Sequence, residues 1–146
     1  MVNFSFWQKW LLGVSVTITA FGVLMAFSSG TPLFDLFHHQ INPAFWSVNA
    51  IDDATRKFQQ WVYGVWGATI AGWGIVLTYL ARYPFRNKER WAWDGLILGV
   101  LIWFVLDTSL SLFYKVYFNV VLNTVLFILG ILPLAFTRKW FIQVQR

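Results

Sequence analysis

Residues 10–30 read WLLGVSVTITAFGVLMAFSSG, which is 21 residues without a charged side chain. At about 1.5 Å of rise per residue, a helix of this length covers the roughly 30 Å hydrocarbon core of a bilayer. Three further apolar runs follow at 61–81, 91–114 and 116–137. The sequence therefore predicts an all-α membrane protein, in which residues 1–146 form a single bundle of four transmembrane helices.

The overall composition favours the same class of protein. Hydrophobic residues make up 58% of the chain and charged residues 12%, whereas a soluble domain carries about a quarter charged residues. The absence of cysteine excludes disulfides, thiol nucleophiles and thiolate metal sites. The net charge of +5 comes from short clusters at the ends of the apolar runs, where basic residues orient membrane helices. We therefore expect the lipid bilayer, and no nucleic acid, as a partner.

The basic residues predict the orientation of the chain. With the N-terminus inside, the inner set is Lys9, Arg82, Arg86, Lys88, Arg90, Arg138, Lys139 and Arg146, and the outer set is Arg56, Lys57 and Lys115. This bias places both the N-terminus and the C-terminus in the cytoplasm. The four basic residues at 82–90 are either a determinant of this topology or a patch for anionic lipid headgroups.

The connection at 31–60 is long for a helical bundle, and long ordered loops are often functional. Thr31 followed by Pro32 predicts the start of a helix. We expect a short interfacial helix on the outer leaflet between spans one and two. Asp53 is expected to cap the helix that continues into the second span. The predicted apolar face of the interfacial helix holds Leu33, Phe34, Phe37 and Ile41.

Small residues recur along the second span. Gly64, Ala68 and Gly72 are spaced every four residues, and Gly67 with Ala71 forms a neighbouring pair. Small residues at this spacing let helix backbones approach closely in lipid. These positions predict a helix-packing interface, formed either with another helix of the same bundle or with a partner subunit or second copy of the chain.

Asp107 is the principal candidate for a functional residue. It lies seven residues from the outer end of span three, about 10 Å deep by helical rise, where an ionisable group is costly and is a functional hypothesis by default. Residues at comparable depth predict one polar layer that opens outward. Three roles are open for this layer: a structural role, ligand binding or proton coupling. Its members are Asp107, Asn123, Ser111, Asn119, Thr19 and Thr69.

No set of residues predicts a metal site, a cofactor or catalysis. Asp35 and His39 have the i,i+4 spacing of two ligands, but adjacent His38 points elsewhere on a helix and no third ligand is indicated. No phosphate-binding loop, nucleophile elbow, HExxH motif or dinucleotide fingerprint occurs in the chain. Whether the protein is an enzyme stays open, and a non-catalytic role is favoured.

The layout resembles a broad group of small four-span bacterial membrane proteins that includes the DoxX-like and BphX-like families. The resemblance rests on the Gly/Ala-rich second span, the short basic loop, the stretch WAWD at 91–94 and the run DTSLS at 107–111. It implies a bacterial inner membrane rather than a particular reaction. A second resemblance, to the EXPERA proteins, rests on Asp35 and Asp107. Some members of that group are isomerases, and the intramembrane Glu and His expected of them are missing from this chain.

The sequence thus leads to two functional hypotheses. The first is a non-catalytic accessory or partner-binding subunit of a membrane complex, associated with other membrane proteins or with a second copy. The alternative is a binder, carrier or enzyme for a hydrophobic small molecule or lipid, with the Asp107 layer as the polar anchor of an apolar pocket.

Overall fold

The computed structural model describes residues 3–46 and 51–142. Within these residues the chain forms five α-helices: α1 (Phe4–Ser28), α2 (Asp35–Ile41), α3 (Asp53–Arg82), α4 (Arg90–Phe113) and α5 (Tyr117–Ile142). Helices α1, α3, α4 and α5 are long and apolar enough to cross a membrane. The predicted fold class, an all-α bundle of four such helices with a short helix between the first two, is confirmed. The four apolar helices also suggest a membrane location.

The helices extend beyond the apolar runs because polar residues cap them outside those runs. Asn3 accepts a hydrogen bond from the Ser5 backbone N–H at 3.0 Å, so α1 begins at Phe4 rather than near residue 10. The long helix α3 begins at Asp53, eight residues before the apolar run at 61–81.

The cap of α3 differs from the one predicted. Asp52, not Asp53, is the capping residue, because Asp52 has extended backbone angles and its Oδ1 accepts from the N–H groups of Ala54 and Thr55, each at 2.9 Å. The Thr55 hydroxyl donates to the same carboxylate at 2.7 Å. Hydrogen bonds from the hydroxyl and backbone of Thr55 lower the pKa of Asp52, since they stabilise the ionised form.

The four long helices pack in the order α3, α1, α5, α4. Helix α1 packs along α3, α4 along α5, and α1 against α5, whereas α3 and α4 touch only sparsely. Helices α1 and α5 are therefore central, and the bundle is loosest between α3 and α4.

An apolar cluster fills the end of the bundle that carries the turn between α3 and α4. Phe85, in the turn between α3 and α4, is completely buried. Its ring lies 4.9 Å from that of Phe141 and 5.8 Å from that of Phe4. Gln8 donates its side-chain amide to the Ala81 carbonyl at 3.0 Å, which satisfies one of the carbonyls that the end of α3 leaves unpaired.

The short helix α2 covers the opposite end. Phe34 is buried beside Met25 and Tyr63, and Phe37 and Ile41 pack against the same cluster. Leu33, by contrast, is exposed, so the predicted apolar face is not continuous. The reason is the 3₁₀ turn at Pro32–Phe34 that precedes α2, because three residues per turn shift the direction of Leu33 relative to the α-helical positions.

Candidate functional site

Asp107 is the centre of a hydrogen-bonded cluster between α4 and α5. Its Oδ1 accepts from the side-chain amide of Asn119 at 2.8 Å, from that of Asn123 at 2.9 Å and from the Ser111 hydroxyl at 3.3 Å. The Asn119 amide also donates to the Ser111 hydroxyl oxygen at 2.8 Å, and the Asn123 amide reaches Thr108 Oγ1 at 3.4 Å. Four of the six residues predicted for the polar layer are thus brought together.

The α4–α5 hairpin positions this cluster. Asp107 and Ser111 are one helical turn apart on α4, and Asn119 and Asn123 are one turn apart on α5. The connection is short because Lys115 takes a left-handed backbone conformation, with a φ of 59°, which reverses the chain within a few residues. The hairpin therefore sets residues at equal distance from the turn opposite one another.

Burial differs among the members of the cluster. Asn123 is 3% exposed and Ser111 is 7% exposed, whereas Asp107 and Asn119 are half-buried. In the part of the chain that the structure describes, no hydrogen bond reaches Oδ2 of Asp107. One carboxylate oxygen therefore joins two helices, and the other takes no part in that contact.

Thr19 and Thr69 do not join this cluster. The Thr19 hydroxyl donates to the Ser15 carbonyl and the Thr69 hydroxyl to the Val65 carbonyl, each at 3.0 Å and within its own helix. Thr19 packs beside Gly74, five residues along α3 from Thr69, so the two threonines do not lie at one depth as predicted. Depth in any case fixes only the height of a residue along a helix. The direction in which it points depends on helix rotation, and Thr19 faces α3.

The small residues of α3 occupy two faces with different surroundings. A Cβ atom added to Gly67 would lie 2.7 Å from the Gly22 carbonyl oxygen, and one added to Gly22 would lie 2.8 Å from the Gly67 carbonyl oxygen. Such distances are shorter than real Cβ contacts, so α1 and α3 can cross this closely only because both positions are glycine. Ala71 is buried in the same crossing.

The second small-residue face of α3 is open. A Cβ atom added to Gly72 would meet nothing within 4 Å, and Ala68 is exposed. Gly64 lies at the edge of the α1 contact, where an added Cβ atom would be 3.6 Å from the Ala26 carbonyl oxygen, an ordinary contact distance. The bundle therefore uses one of the two faces and leaves most of the other uncovered.

The histidines of α2 take different partners. His38 lies 3.6 Å from the Asp35 carboxylate through Nδ1, and its ring stacks on Tyr63 at 5.6 Å. His39 instead donates from Nδ1 to the Asp35 backbone carbonyl at 2.6 Å. Asp35 and His39 are thus not joined through the carboxylate, and the described residues contain no group of three potential metal ligands.

Two tryptophan indoles donate to the backbone of α5 around Pro133, a feature that the sequence reasoning missed. Proline has no N–H, so Pro133 frees the Leu129 carbonyl four residues earlier. Trp10 of α1 donates its indole N–H to this carbonyl at 3.0 Å, and Trp93 of α4 donates to the Leu134 carbonyl at 2.9 Å. Helices α1 and α4 are therefore both attached to α5 at the proline. The freed carbonyl was the available signal, but the residue that reaches it depends on the tertiary packing.

Comparisons with protein-family models, with curated proteins and with solved structures find no match to this chain.

Proposed function

We propose that this chain is a non-catalytic subunit that binds a transmembrane helix of another membrane protein, or of a second copy, through the open face of α3. The supporting observation is the contrast between two faces of one helix. Gly67 is covered at backbone distance by α1, whereas Ala68 and Gly72, of the same small-residue type, are exposed. In lipid, helix association depends on close packing of this kind.

The surroundings of Asp107 favour this role over chemistry at the carboxylate. Its Oδ1 accepts hydrogen bonds from three donors of the same hairpin, as expected of a carboxylate that fixes two helices. The alternative, a carrier or enzyme for a hydrophobic molecule, needs a space beside Asp107. Two apolar grooves of the structure run along α3, and Asp107 lines neither of them.

We further propose that the chain resides in a bacterial inner membrane with both termini in the cytoplasm. The support is the excess of Lys and Arg at the end of the bundle that carries the α3–α4 turn and the C-terminal part of α5. The resemblance of the sequence to DoxX-like and BphX-like proteins supports the same membrane, and it stays a prediction.

The interface can be tested with a matched pair of leucine substitutions. Gly72→Leu adds bulk to the open face of α3, and Gly13→Leu adds the same bulk to α1 at another position with nothing within 4 Å. After extraction from the native membrane in a mild detergent, native mass spectrometry should show a complex for the wild type and for Gly13→Leu, and a monomer for Gly72→Leu. Recovery of the wild type only as a monomer at every concentration would overturn the proposal.

A chemical test locates the interface independently. The chain has no cysteine, so Gly72→Cys introduces a unique thiol. For a homo-oligomer, mild oxidation should crosslink two copies through Gly72→Cys and not through Gly13→Cys. For a second kind of subunit, a photo-crosslinker on the same thiol should give one discrete product, again absent from Gly13→Cys.

A further inference from the structure

Two grooves run side by side along the end of α3 that leads into the α3–α4 turn. The first has a volume of about 450 Å³ and lies between α3 and the start of α4, with walls that include Val76, Tyr83 and Trp91. The second has a volume of about 320 Å³ and lies between α1 and α3. Ile75 and Tyr79 line both grooves and thus form the ridge that separates them.

The floors of both grooves are apolar, although two threonines contribute to the second. The hydroxyls of Thr19 and Thr78 donate to the Ser15 and Gly74 carbonyls of their own helices, at 3.0 and 2.8 Å. Only their methyl groups are left for the groove. From Ile75 to Arg82 the grooved part of α3 extends over about 10 Å, so the pair of grooves suits flexible hydrocarbon chains that lie along the helix.

The first groove is lined mainly by apolar side chains, and amphipathic side chains lie at its mouth. Tyr79, Tyr83 and Trp91 are all more than half exposed there, and such side chains are enriched at the interface between hydrocarbon and headgroups. The Trp91 indole is held by a hydrogen bond to the Glu89 carboxylate at 2.6 Å. The headgroup level of a bilayer would therefore lie at this mouth.

Arg82 and Arg86 flank the lining residues Tyr83 and Pro84 along the chain, and they outnumber Glu89, the one charged residue that lines the groove. Arg82 and Arg86 are exposed, and the guanidinium of Arg82 lies 5.7 Å from the centre of the Tyr83 ring. Neither arginine forms an ion pair within residues 3–46 and 51–142. Glu89, the acidic residue of the turn, already accepts the Trp91 N–H. Two guanidinium groups are thus available to a phosphate, which they bind in a bidentate manner.

From this arrangement we propose that the α3 end of the bundle binds one anionic diacyl phospholipid. Its two acyl chains lie in the two grooves on either side of Ile75 and Tyr79, and its phosphate contacts Arg82 and Arg86. The complementarity between a basic mouth and an anionic headgroup selects this occupant over a neutral lipid. The site adjoins the partner face, because Val76 of the first groove lies one helical turn from Gly72 on the same side of α3, but Gly72 itself lines neither groove.

The proposal predicts a preference that can be measured on the full-length wild type in an uncharged detergent. Native mass spectrometry and thermal unfolding should show tighter binding and larger stabilisation with phosphatidylglycerol than with phosphatidylcholine of the same acyl chains. Glycerol phosphate, which carries the headgroup charge without the chains, should neither stabilise the protein nor displace the lipid. Equal effects of the two lipids, or displacement by glycerol phosphate, would overturn the proposal without any variant being made.

Paired substitutions then locate the site. Arg82→Gln with Arg86→Gln should weaken phosphatidylglycerol binding by about tenfold to thirtyfold, from the contribution of two basic residues near a lipid surface. Arg138→Gln with Lys139→Gln removes the same charge from the same end of the bundle, but on α5, and should leave binding unchanged. An equal loss in both double variants would mean that the protein attracts anionic lipid by its overall charge, and would refute the site. Far-UV circular dichroism checks that both variants are folded.

Discussion

The hydrogen bond from Trp10 to the Leu129 carbonyl gives the sharpest test of how this bundle is held together. The carbonyl is available only because Pro133 supplies no N–H to it, and the indole lies at 3.0 Å. Interhelical hydrogen bonds in membrane proteins are worth about 0.6 to 1.7 kcal/mol. Leaving an acceptor unpaired away from water costs about 1 to 3 kcal/mol. Trp10→Phe should therefore lower the free energy of unfolding by roughly 1 to 2 kcal/mol.

Trp10→Phe also removes apolar contacts, because the indole packs against Trp7 and Phe6 at ring distances of 6.1 Å. A double-mutant cycle with Pro133→Ala separates the two effects. In the Pro133→Ala background, residue 133 has a backbone N–H that donates to the Leu129 carbonyl, so the indole is no longer needed there. Trp10→Phe should then cost only its apolar contacts, and the coupling free energy should be about 1 kcal/mol.

The assay is reversible unfolding in mixed micelles, followed by far-UV circular dichroism because the substitutions alter tryptophan fluorescence. Trp93→Phe is the control. The Leu134 carbonyl to which Trp93 donates lies four residues before Arg138, whose N–H remains available. The cost of Trp93→Phe should therefore be the same with Pro133 and with alanine at that position. A coupling free energy between Trp10 and Pro133 below about 0.3 kcal/mol, the usual error of additivity, would refute this account.

Three further predictions follow from other contacts. Gly67→Ala places a methyl group against the α1 backbone and should destabilise the bundle by about 1 to 3 kcal/mol in the same unfolding assay, whereas Gly72→Ala should be neutral or slightly stabilising because its surroundings are open. Asp107→Leu removes the acceptor that the Asn119 and Asn123 amides share, leaves them only hydroxyl oxygens of α4, and should cost about 1 to 3 kcal/mol. Asp107→Asn keeps an acceptor and should cost less than about 1 kcal/mol. Equal stability of Asp107→Leu and wild type would contradict a structural role for the cluster. The lowered pKa of Asp52 means that its cap stabilises α3 above the ordinary carboxyl pKa and is lost as the pH falls through the lowered one. Asp52→Ala should thus be less stable than the wild type at neutral pH and equal to it once acid has protonated the carboxyl group.

The fold class could be predicted because the pattern of hydrophobicity along the chain determines it. An uncharged run such as residues 10–30 has one stable solution in a bilayer, a helix that satisfies its own backbone. The helix ends were harder to predict, since Asn3 and Asp52 add polar turns that a hydropathy pattern does not contain. Caps are local features, and the side chain that accepts the N–H groups is fixed by backbone angles within one residue of the end.

The cluster around Asp107 was partly predictable for a different reason. A tight hairpin makes distance from the turn a good measure of which residues face each other, and this relation holds for Asn119 and Asn123. It fails for Thr19 and Thr69, which lie on helices joined to α4 by longer or indirect connections. For those helices the rotation about the axis is set by packing, and in this bundle by the glycine crossing of α1 and α3, which the sequence does not fix.

The same crossing explains why the bundle has open surfaces at all. Lipid chains are as apolar as leucine, so helices in a bilayer gain little from apolar contact alone and depend on close backbone approach and specific hydrogen bonds. Here these interactions are concentrated on α1 and α5, through Gly22 and Gly67 and through the indoles of Trp10 and Trp93. Helices α3 and α4 each have one such neighbour and little contact with one another. The proposed lipid and the proposed partner helix would both contact α3, which within the bundle packs closely only against α1.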